Sequence, residues 1–230
     1  MNKYDLHIHT KECDKCAELS GGEIVRLYKD AGYDGIVVTD HYFSLFFEWF
    51  KDEISMSNHK KIIERYLRGY YSAKNEGEKI GLAVLCGAEV RIDSSINDYL
   101  VYGLEEKDFY ELPLLNRLKD VRELVDTLPD YSVVVQAHPF RDNMTVCDPD
   151  LFFGIEGYNG GTEEFRNELA KIYAKHYQKP LTSGSDFHGS HHLAKGGIAT
   201  NQKIQTAGDL RNVLNSGDYF LIENGQMVVE

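Results

Sequence analysis

Seven short apolar runs, each typical of a β-strand, alternate with amphipathic helical patterns along this chain of 230 residues. This alternation constrains the fold more than any other feature, because consecutive β/α units build a largely parallel sheet with helices packed against it. The predicted strands are 4–9, 34–39, 82–90, 98–103, 132–137, 152–157 and 180–185. We therefore expect an α/β fold that forms one barrel-like domain over residues 1–230.

Helix signals lie between the predicted strands. Ser20 and Glu23 form a capping box that opens a helix, and Gly32 closes it. Apolar stripes predict further helices over 58–75, 118–128 and 206–215. We expect Thr162 to be the N-cap of one more helix. The predicted buried face of that helix comprises Phe165, Leu169, Ile172 and Tyr173.

The charge balance limits the partners of this chain. It has 25 Lys and Arg residues against 37 Asp and Glu residues, a formal net charge of −12. Such a surface repels long nucleic acids and anionic membranes, so a phosphorylated substrate needs local positive charge, which bound divalent metals would supply. No apolar stretch approaches the ~20 residues of a membrane span, and no signal-peptide pattern is present. The sequence predicts a cytoplasmic protein.

The cysteines do not form a complete zinc motif. Cys13 and Cys16 form a C-x-x-C pair, whereas Cys86 and Cys147 are isolated. Charged neighbours make 11–16 resemble a solvated loop. These features favour a structural or incidental role for the pair, with redox chemistry or metal binding as the alternatives.

Histidines and acids gather at the C-terminal ends of the predicted strands. His7 and His9 are two residues apart on the first strand, so their side chains point the same way. Later strands end at or just before Asp40, His41, Glu89, His138, Asp186 and His188. In a parallel β/α barrel these ends form one mouth. Because unpaired buried charges are costly, the pattern predicts a polynuclear metal site at that mouth.

Five motifs carry a resemblance to a known family. They are DLHIHT at 5–10, TDH at 39–41, GAEV at 87–90, AHP at 137–139 and SGSDFH at 183–188. In this order they resemble the PHP domain, the polymerase-and-histidinol-phosphatase family of metal-dependent phosphoesterases. The resemblance implies a distorted (β/α)7, TIM-like barrel that binds two or three divalent metal ions, variously zinc, manganese or iron.

The resemblance also implies a set of metal ligands. The first metal would be held by His7, His9, Glu89 and Asp186. The second would be held by Asp14, His41 and His188. The third would share Glu89 and be held by His138 and Asp98. Asp98 stands where the family often has a histidine, which leaves open whether the third site is filled and by which metal. The alternative for Asp98 is an ordinary residue at a strand edge.

Other candidate site residues lie close to these motifs. Arg141 could bind a substrate phosphate through its guanidinium, and the alternative is an ordinary loop arginine. His191 and His192 could donate a proton or contact phosphate. We expect Asp40 to orient a ligand instead of binding metal itself.

Three further features lie outside the five motifs. Glu156 and Asn159 follow a predicted strand and are candidates for the same orienting role as Asp40. The aromatic run at 42–50 could line a substrate pocket, although such runs more often belong to the core. His59 and His176 lie in helical patterns, and we expect them to be structural or surface residues.

The resemblance and the clustered ligands together predict a metal-dependent phosphoesterase, a hydrolase that cleaves a small phosphomonoester. A hydroxide that bridges the metals would attack phosphorus in line. The alternatives are a histidinol-phosphate phosphatase, an exonuclease on short oligonucleotides, an amidohydrolase that cleaves C–N bonds, and a metal-binding barrel without catalysis. The negative charge argues against a long nucleic-acid substrate, and the absence of lysine from the apolar strand cores argues against an amidohydrolase. The sequence does not predict the physiological substrate or the oligomeric state.

Overall fold

The structure is a computed structural model that describes residues 1–229. Within these residues the chain forms eight α-helices and twelve β-strands, an α/β fold as predicted. The strands are β1 (Asn2–Ile8), β2 (Gly35–Val38), β3 (His41–Tyr42), β4 (Ala83–Cys86), β5 (Ala88–Arg91), β6 (Asp98–Tyr102), β7 (Val133–Gln136), β8 (Gly154–Asn159), β9 (Leu181–Gly184), β10 (Gly196–Thr200), β11 (Phe220–Glu223) and β12 (Gln226–Met227). The helices are α1 (Gly21–Asp30), α2 (Ser44–Trp49), α3 (His59–Tyr66), α4 (Arg68–Ile80), α5 (Glu106–Glu111), α6 (Val121–Thr127), α7 (Glu164–His176) and α8 (Ala207–Ser216).

The strands form two six-stranded sheets, in the orders β12–β11–β10–β1–β2–β4 and β3–β5–β6–β7–β8–β9. Parallel pairs join β1 to β2, β2 to β4, β3 to β5, β7 to β8 and β8 to β9. β6 is antiparallel to both of its neighbours, and β10 is antiparallel to β1. The sheets are therefore mixed, and the prediction of a largely parallel sheet is wrong, because the sequence pattern of a strand does not reveal its direction.

The two sheets meet at several points along the chain. The predicted strand 82–90 is divided at Gly87, where a Cβ would lie 2.9 Å from the carbonyl oxygen of Val101. Phe187, just after β9, exchanges backbone hydrogen bonds with β1: its N–H donates to His7 and its carbonyl accepts from His9, both at 3.1 Å. These bonds fix the segment after β9 against the end of β1.

Small residues let two helices approach closely beside β1. α1 begins with the predicted capping box, in which Ser20 and Glu23 bond reciprocally, and Gly32 follows the helix with φ +77°. A Cβ on Gly21 would lie 2.4 Å from the carbonyl oxygen of Gly69 in α4. The single helix predicted over 58–75 is instead α3 and α4, separated at Leu67.

The predicted buried face of α7 is wrong in three of its four residues. Phe165, Leu169 and Ile172 are 60%, 42% and 65% exposed, and only Tyr173 is buried. The helix packs instead through Asn167, Ala170 and Ala174. Asn167 fixes this orientation, because its side chain accepts from the N–H of Asn159 at 3.1 Å and donates to the carbonyl of Asn159 at 3.1 Å. The N-cap is Glu163 and not Thr162.

The aromatic run at 42–50 belongs mainly to the core, as its commoner interpretation predicts. Tyr42, Phe43, Phe46, Phe47 and Phe50 are all buried in the main hydrophobic cluster. Within residues 1–229, no helix is both long enough and apolar enough to cross a membrane.

Candidate metal centre

Nine ionisable side chains converge at one rim of the two sheets. They lie on or next to six strands and on the loop after β1, and we call them the nine-residue cluster. Its members are His7, His9, Asp14, His41, Glu89, Asp98, His138, Asp186 and His188. The sequence predicted each of them as a site residue, and the structure brings all of them together.

Asp98 reaches the rim because of the direction of its strand. Most of the other members lie near or just after the C-terminal ends of strands that run in parallel, whereas His41 opens the two-residue strand β3 and Asp98 is the first residue of β6. Since β6 runs antiparallel to β5, the start of β6 lies beside the end of β5, and Asp98 pairs with Arg91 in the register. The Oδ2 of Asp98 lies 3.9 Å from the Nε2 of His138.

Glu89 is the centre of the cluster. Its Oε2 lies 3.4 Å from His7 Nε2, 3.3 Å from His9 Nε2 and 3.0 Å from His41 Nε2. Its Oε1 lies 2.9 Å from His138 Nε2. One carboxylate therefore faces four imidazoles, which is the arrangement expected of a ligand shared between cations.

Asp186 and Asp14 complete the cluster on either side of His9. Asp186 Oδ1 lies 3.2 Å from His9 Nε2 and 3.3 Å from His188 Nδ1. Asp14 Oδ2 lies 3.5 Å from His9 Nδ1 and 3.6 Å from His188 Nε2, and it also contacts His41 Nδ1. The donor atoms fall into four overlapping groups, each with all its atoms within 4.8 Å of one another. Any of these groups could hold a metal ion.

Several atoms of the cluster are buried without a hydrogen-bond partner in the described part of the chain. They are His7 Nε2, both ring nitrogens of His9, Glu89 Oε2, His138 Nδ1 and Asp186 Oδ1. An unsatisfied buried polar atom costs about 1–3 kcal/mol, and more when it is charged. Divalent cations would satisfy these atoms together, because imidazole nitrogen and carboxylate oxygen are both common ligands of zinc and other transition metals. The residues present therefore fit a metal site.

At His7, Glu89 and Asp186, burial and the neighbouring charges shift the pKa in opposite directions. Burial lowers the pKa of His7, but the carboxylates of Glu156, Asp186 and Glu89 overcome this and hold it well above its usual value. Burial likewise raises the pKa of Glu89 and Asp186, while neighbouring cationic groups, His7 first among them, hold both well below the usual range. The carboxylates are thus kept ionised, as metal binding requires.

Asp14 shows the same opposition, whereas at His9 burial and the neighbouring charges shift the pKa in the same direction. Burial raises the pKa of Asp14, but hydrogen bonds with His188 and His41 hold it well below its usual value. Burial lowers the pKa of His9, and the positive charge of His41 and His188 lowers it further. His9 is therefore kept neutral, the form in which an imidazole binds metal.

Two members of the cluster have backbone conformations that residues with side chains rarely adopt. His138 has φ +26° and Asp186 has φ +50°. Such strain persists only where the surrounding structure holds it, and it concentrates at functional sites. Each is the second residue after the end of a strand, β7 for His138 and β9 for Asp186, where the chain turns into the rim.

Two buried carboxylates outside the cluster, Glu156 and Asp5, hydrogen-bond to the residues that carry it. Glu156 is buried in the middle of β8, and its Oε1 lies 2.8 Å from His7 Nδ1 while its Oε2 accepts from His138 N–H at 3.0 Å. Asp5 accepts from the backbone N–H groups of His7 at 3.2 Å and Ser185 at 3.0 Å, so it joins β1 to the turn that carries Asp186. Burial raises the pKa of Asp5 to about 6. Sequence reasoning missed Asp5, although its position two residues before His7 placed it on the same strand face.

Asp40 does not contact an imidazole of the cluster. Its carboxylate accepts from the N–H of Thr10 at 2.6 Å and from the hydroxyl of Thr10 at 2.8 Å. Burial raises its pKa to about 7. Asp40 therefore holds the backbone just after His9, and the orienting contact to an imidazole is made by Glu156.

Arg141 lies directly beside the cluster. Its Nη2 contacts Asp186 Oδ2 and donates to Asn159 Oδ1 at 3.0 Å. His192 is half-buried, and its Nδ1 accepts from the N–H of His188 at 3.3 Å. Burial and the neighbouring His191 lower the pKa of His192 to about 4. His191 is exposed, and its ring centroid is 3.9 Å from that of His192.

The remaining candidates lie apart from the cluster or have structural surroundings. His59 is half-buried, with Nε2 3.3 Å from the carbonyl oxygen of Phe109, and His176 is exposed. All four cysteines are free thiols. Cys13 is buried, and its thiol donates to the carbonyl of Tyr66, whereas Cys16 is exposed. The C-x-x-C pair is therefore not joined, and these contacts favour its structural interpretation.

Comparisons with known proteins bear on this arrangement. No protein-family model and no curated protein matches the sequence. Among solved structures, 21 chains match. One is a two-domain protein from Bacteroides vulgatus that contains a predicted PHP-like metal-dependent phosphoesterase, with a TM-score of 0.67 and 18% identity over 100% of this chain and 66% of that one. This chain thus spans slightly less than two thirds of that protein.

Two other matches have different descriptions. A lesion-specific endonuclease from Pyrococcus furiosus matches with a TM-score of 0.59 and 13% identity over 94% of this chain and 56% of that one. An amidohydrolase from Chromobacterium violaceum with bound sulfate matches with a TM-score of 0.54 and 14% identity over 83% and 89%. At these identities the similarities establish the fold, and the chain has the fold of the PHP-like metal-dependent phosphoesterases, which confirms the resemblance seen in the sequence.

Proposed function

We propose that this chain is a metal-dependent phosphoesterase that hydrolyses a small phosphomonoester at the nine-residue cluster. In this proposal the two sheets form one domain, a distorted (β/α)7 barrel, whose mouth holds two or three divalent ions. The main support is the group of buried, unpartnered nitrogen and oxygen atoms around Glu89. That donor set suits cations and would be costly without them.

The cluster offers two kinds of metal environment. His9, His41 and His188 with Asp14 form a nitrogen-rich group, which suits zinc or iron. Glu89, Asp98 and His138 form an oxygen-rich group, which favours a harder ion such as manganese. We propose that His7, His9, Glu89 and Asp186 hold the first ion, and that Glu89 is shared with the others.

Bound divalent ions supply a water of lowered pKa and neutralise charge on phosphoryl oxygens. The protein's own residues orient the ligands and the substrate. Glu156 accepts a hydrogen bond from the Nδ1–H of His7, and this tautomer leaves Nε2 available to coordinate a metal. Arg141, next to Asp186, presents guanidinium donors to a phosphoryl oxygen and compensates the charge that develops on it.

His192 is the better of the two candidates for contacting the substrate, as a hydrogen-bond donor to a phosphoryl or leaving-group oxygen. Because its Nδ1 accepts from His188 N–H, the proton of the neutral ring resides on Nε2. A neutral ring at pH 7 follows from the lowered pKa. His191, being exposed, would contact the substrate at the periphery.

The test is hydrolysis by protein loaded separately with manganese, zinc or iron. The panel comprises an aryl phosphate, metabolite phosphates including histidinol phosphate, short oligonucleotides, and an amide. We expect phosphate release from monoesters and its loss in the His7→Ala plus Asp186→Ala double variant. The matched control, His176→Ala plus Asp218→Ala, changes an exposed histidine and an exposed aspartate and should retain activity. Full activity in the first variant, or amide cleavage without phosphate release, would refute the proposal.

A further inference from the structure

A cavity of about 530 Å³ adjoins the nine-residue cluster, and we call it the Lys195 cavity. It reaches the cluster through Arg141, which lines the cavity and also contacts Asp186. A phosphoryl group held at the cluster beside Arg141 would therefore have the rest of its molecule directed at this space. The cavity is shallow and open to solvent, with room for one end of a small molecule.

Two glycines, Gly160 and Gly161, line the Lys195 cavity. A Cβ on Gly161 would lie 3.3 Å from Asp186 Oδ2 and 3.4 Å from Arg141 Nη2. A Cβ on Gly160 would lie 2.9 Å from the Cβ of Lys195. The glycine backbone thus packs directly against Lys195 on one side and against Asp186 and Arg141 on the other, which brings Lys195 close to the rim of the cluster.

Lys195 is the cation of this cavity that has no acidic partner. Another lining cation, Arg166, is neutralised by Asp142 at 2.6 Å and Glu163 at 2.9 Å, and Arg141 is paired with Asp186. The ammonium of Lys195 contacts only the carbonyl oxygen of Gly160, at 3.4 Å, and no carboxylate within residues 1–229 lies within 4.0 Å of it. A half-buried ammonium with one weak acceptor, in a chain of net charge −12, is available to an anion from solution.

We propose that the Lys195 cavity binds a second anionic group, a carboxylate or a phosphate, on the leaving-group side of the substrate, and that Lys195 selects for it. This inference rests on the proposed function and narrows its substrate class to phosphomonoesters that carry a second negative group. Lys195 acts as a specificity-determining residue. Uncharged alcohols of the same length would lack a partner for its ammonium.

The test measures binding, so that it does not depend on turnover. Metal-loaded protein is titrated calorimetrically with ω-carboxyalkylphosphonates of two to five methylenes, and with the alkylphosphonates of matching length. A second arm uses alkylene bisphosphonates, which separates a carboxylate from a phosphate as the second group. At one chain length or more, we expect the ligand with a second anionic group to bind about tenfold more tightly than the alkylphosphonate of the same length. This ratio is typical of one charge-assisted hydrogen bond.

The Lys195→Met variant keeps the length of the side chain and removes its charge. It should abolish the tenfold preference while binding the plain alkylphosphonates as the wild type does. Lys203→Met, at an exposed lysine outside this cavity, should keep the preference. The inference is overturned if wild type shows no preference at any length, if neither class of ligand binds, or if the preference survives in Lys195→Met. If the ligand with the second anionic group binds more tightly but no phosphate ester is hydrolysed, the anion site at Lys195 is supported and only the proposed phosphoesterase activity is refuted.

Discussion

Replacing Glu156 with glutamine tests how the protein prepares His7 for coordination. Glu156 is buried, with Oε1 2.8 Å from His7 Nδ1 and Oε2 accepting from both His138 N–H at 3.0 Å and Asn159 Nδ2 at 2.9 Å. Asn159 cannot reverse its amide, because its Oδ1 already accepts from Gly161 N–H at 2.9 Å. Two donors therefore face the Oε2 position.

In the Glu156→Gln variant the amide oxygen must face those two donors. The amide NH2 then faces His7 Nδ1, which has to lose its proton and accept, so the proton of the neutral ring moves to Nε2 and blocks coordination. The opposite amide orientation would leave buried donors facing donors, at about 1–3 kcal/mol each. We expect metal affinity to fall about 10- to 100-fold, or about 1.4–2.8 kcal/mol.

The assay is competition with a chromogenic chelator, with calorimetry as a second measurement. The control is Glu164→Gln, the same chemical change on the exposed first turn of α7, which should bind metal as the wild type does. Circular dichroism verifies that both variants are folded. A Glu156→Gln protein that is folded and binds metal within twofold of the wild type would refute the role given to Glu156.

The packing analysis gives two further predictions, each read from urea unfolding. Gly69→Ala would place a Cβ 1.8 Å from Thr10 Oγ1 and should lower the free energy of unfolding by about 1–3 kcal/mol. The control Gly22→Ala, whose Cβ would have its nearest neighbour at 3.6 Å, should leave this free energy unchanged or raise it by about 0.5 kcal/mol. Equal effects of the two variants would contradict the close approach of α4 to the segment after β1. On α7, Ile172 is exposed, so Ile172→Lys should change the free energy of unfolding by less than about 0.5 kcal/mol. Ala174 is buried, so Ala174→Leu should lower it by about 1–3 kcal/mol. A larger loss in Ile172→Lys than in Ala174→Leu would show that the helix faces the other way.

The sequence predicts the convergence of the cluster well because strand ends carry positional information. His7 and His9 share a strand face by simple alternation, and Glu89 and His138 stand at or just past the ends of apolar runs. All seven predicted strands are present, although one is divided at Gly87.

The direction of β6 could not be predicted from its residues. Apolar strands look alike in either direction, so the pattern at 98–103 gave a strand without its orientation. Asp98 reached the predicted site through its match to a family motif, and the antiparallel pairing of β6 explains how the first residue of a strand arrives at the same rim as the last residues of others.

The buried face of α7 was predicted wrongly for a different reason. Phe165, Leu169 and Ile172 form a good apolar stripe, yet the helix turns the opposite side to β8. The paired hydrogen bonds between Asn167 and Asn159 and the small volume of Ala170 and Ala174 determine the packing. A polar residue that satisfies strand backbone is not visible to an analysis that seeks apolar periodicity.

The most direct measurement of the central claim is anomalous X-ray scattering from crystals of the protein loaded with zinc or manganese. The account predicts two or three anomalous peaks inside the nine-residue cluster, each about 2.0–2.2 Å from imidazole nitrogens or carboxylate oxygens, with Glu89 contacting more than one. Absence of any peak among these side chains at saturating metal, or peaks only at the molecular surface, would contradict it.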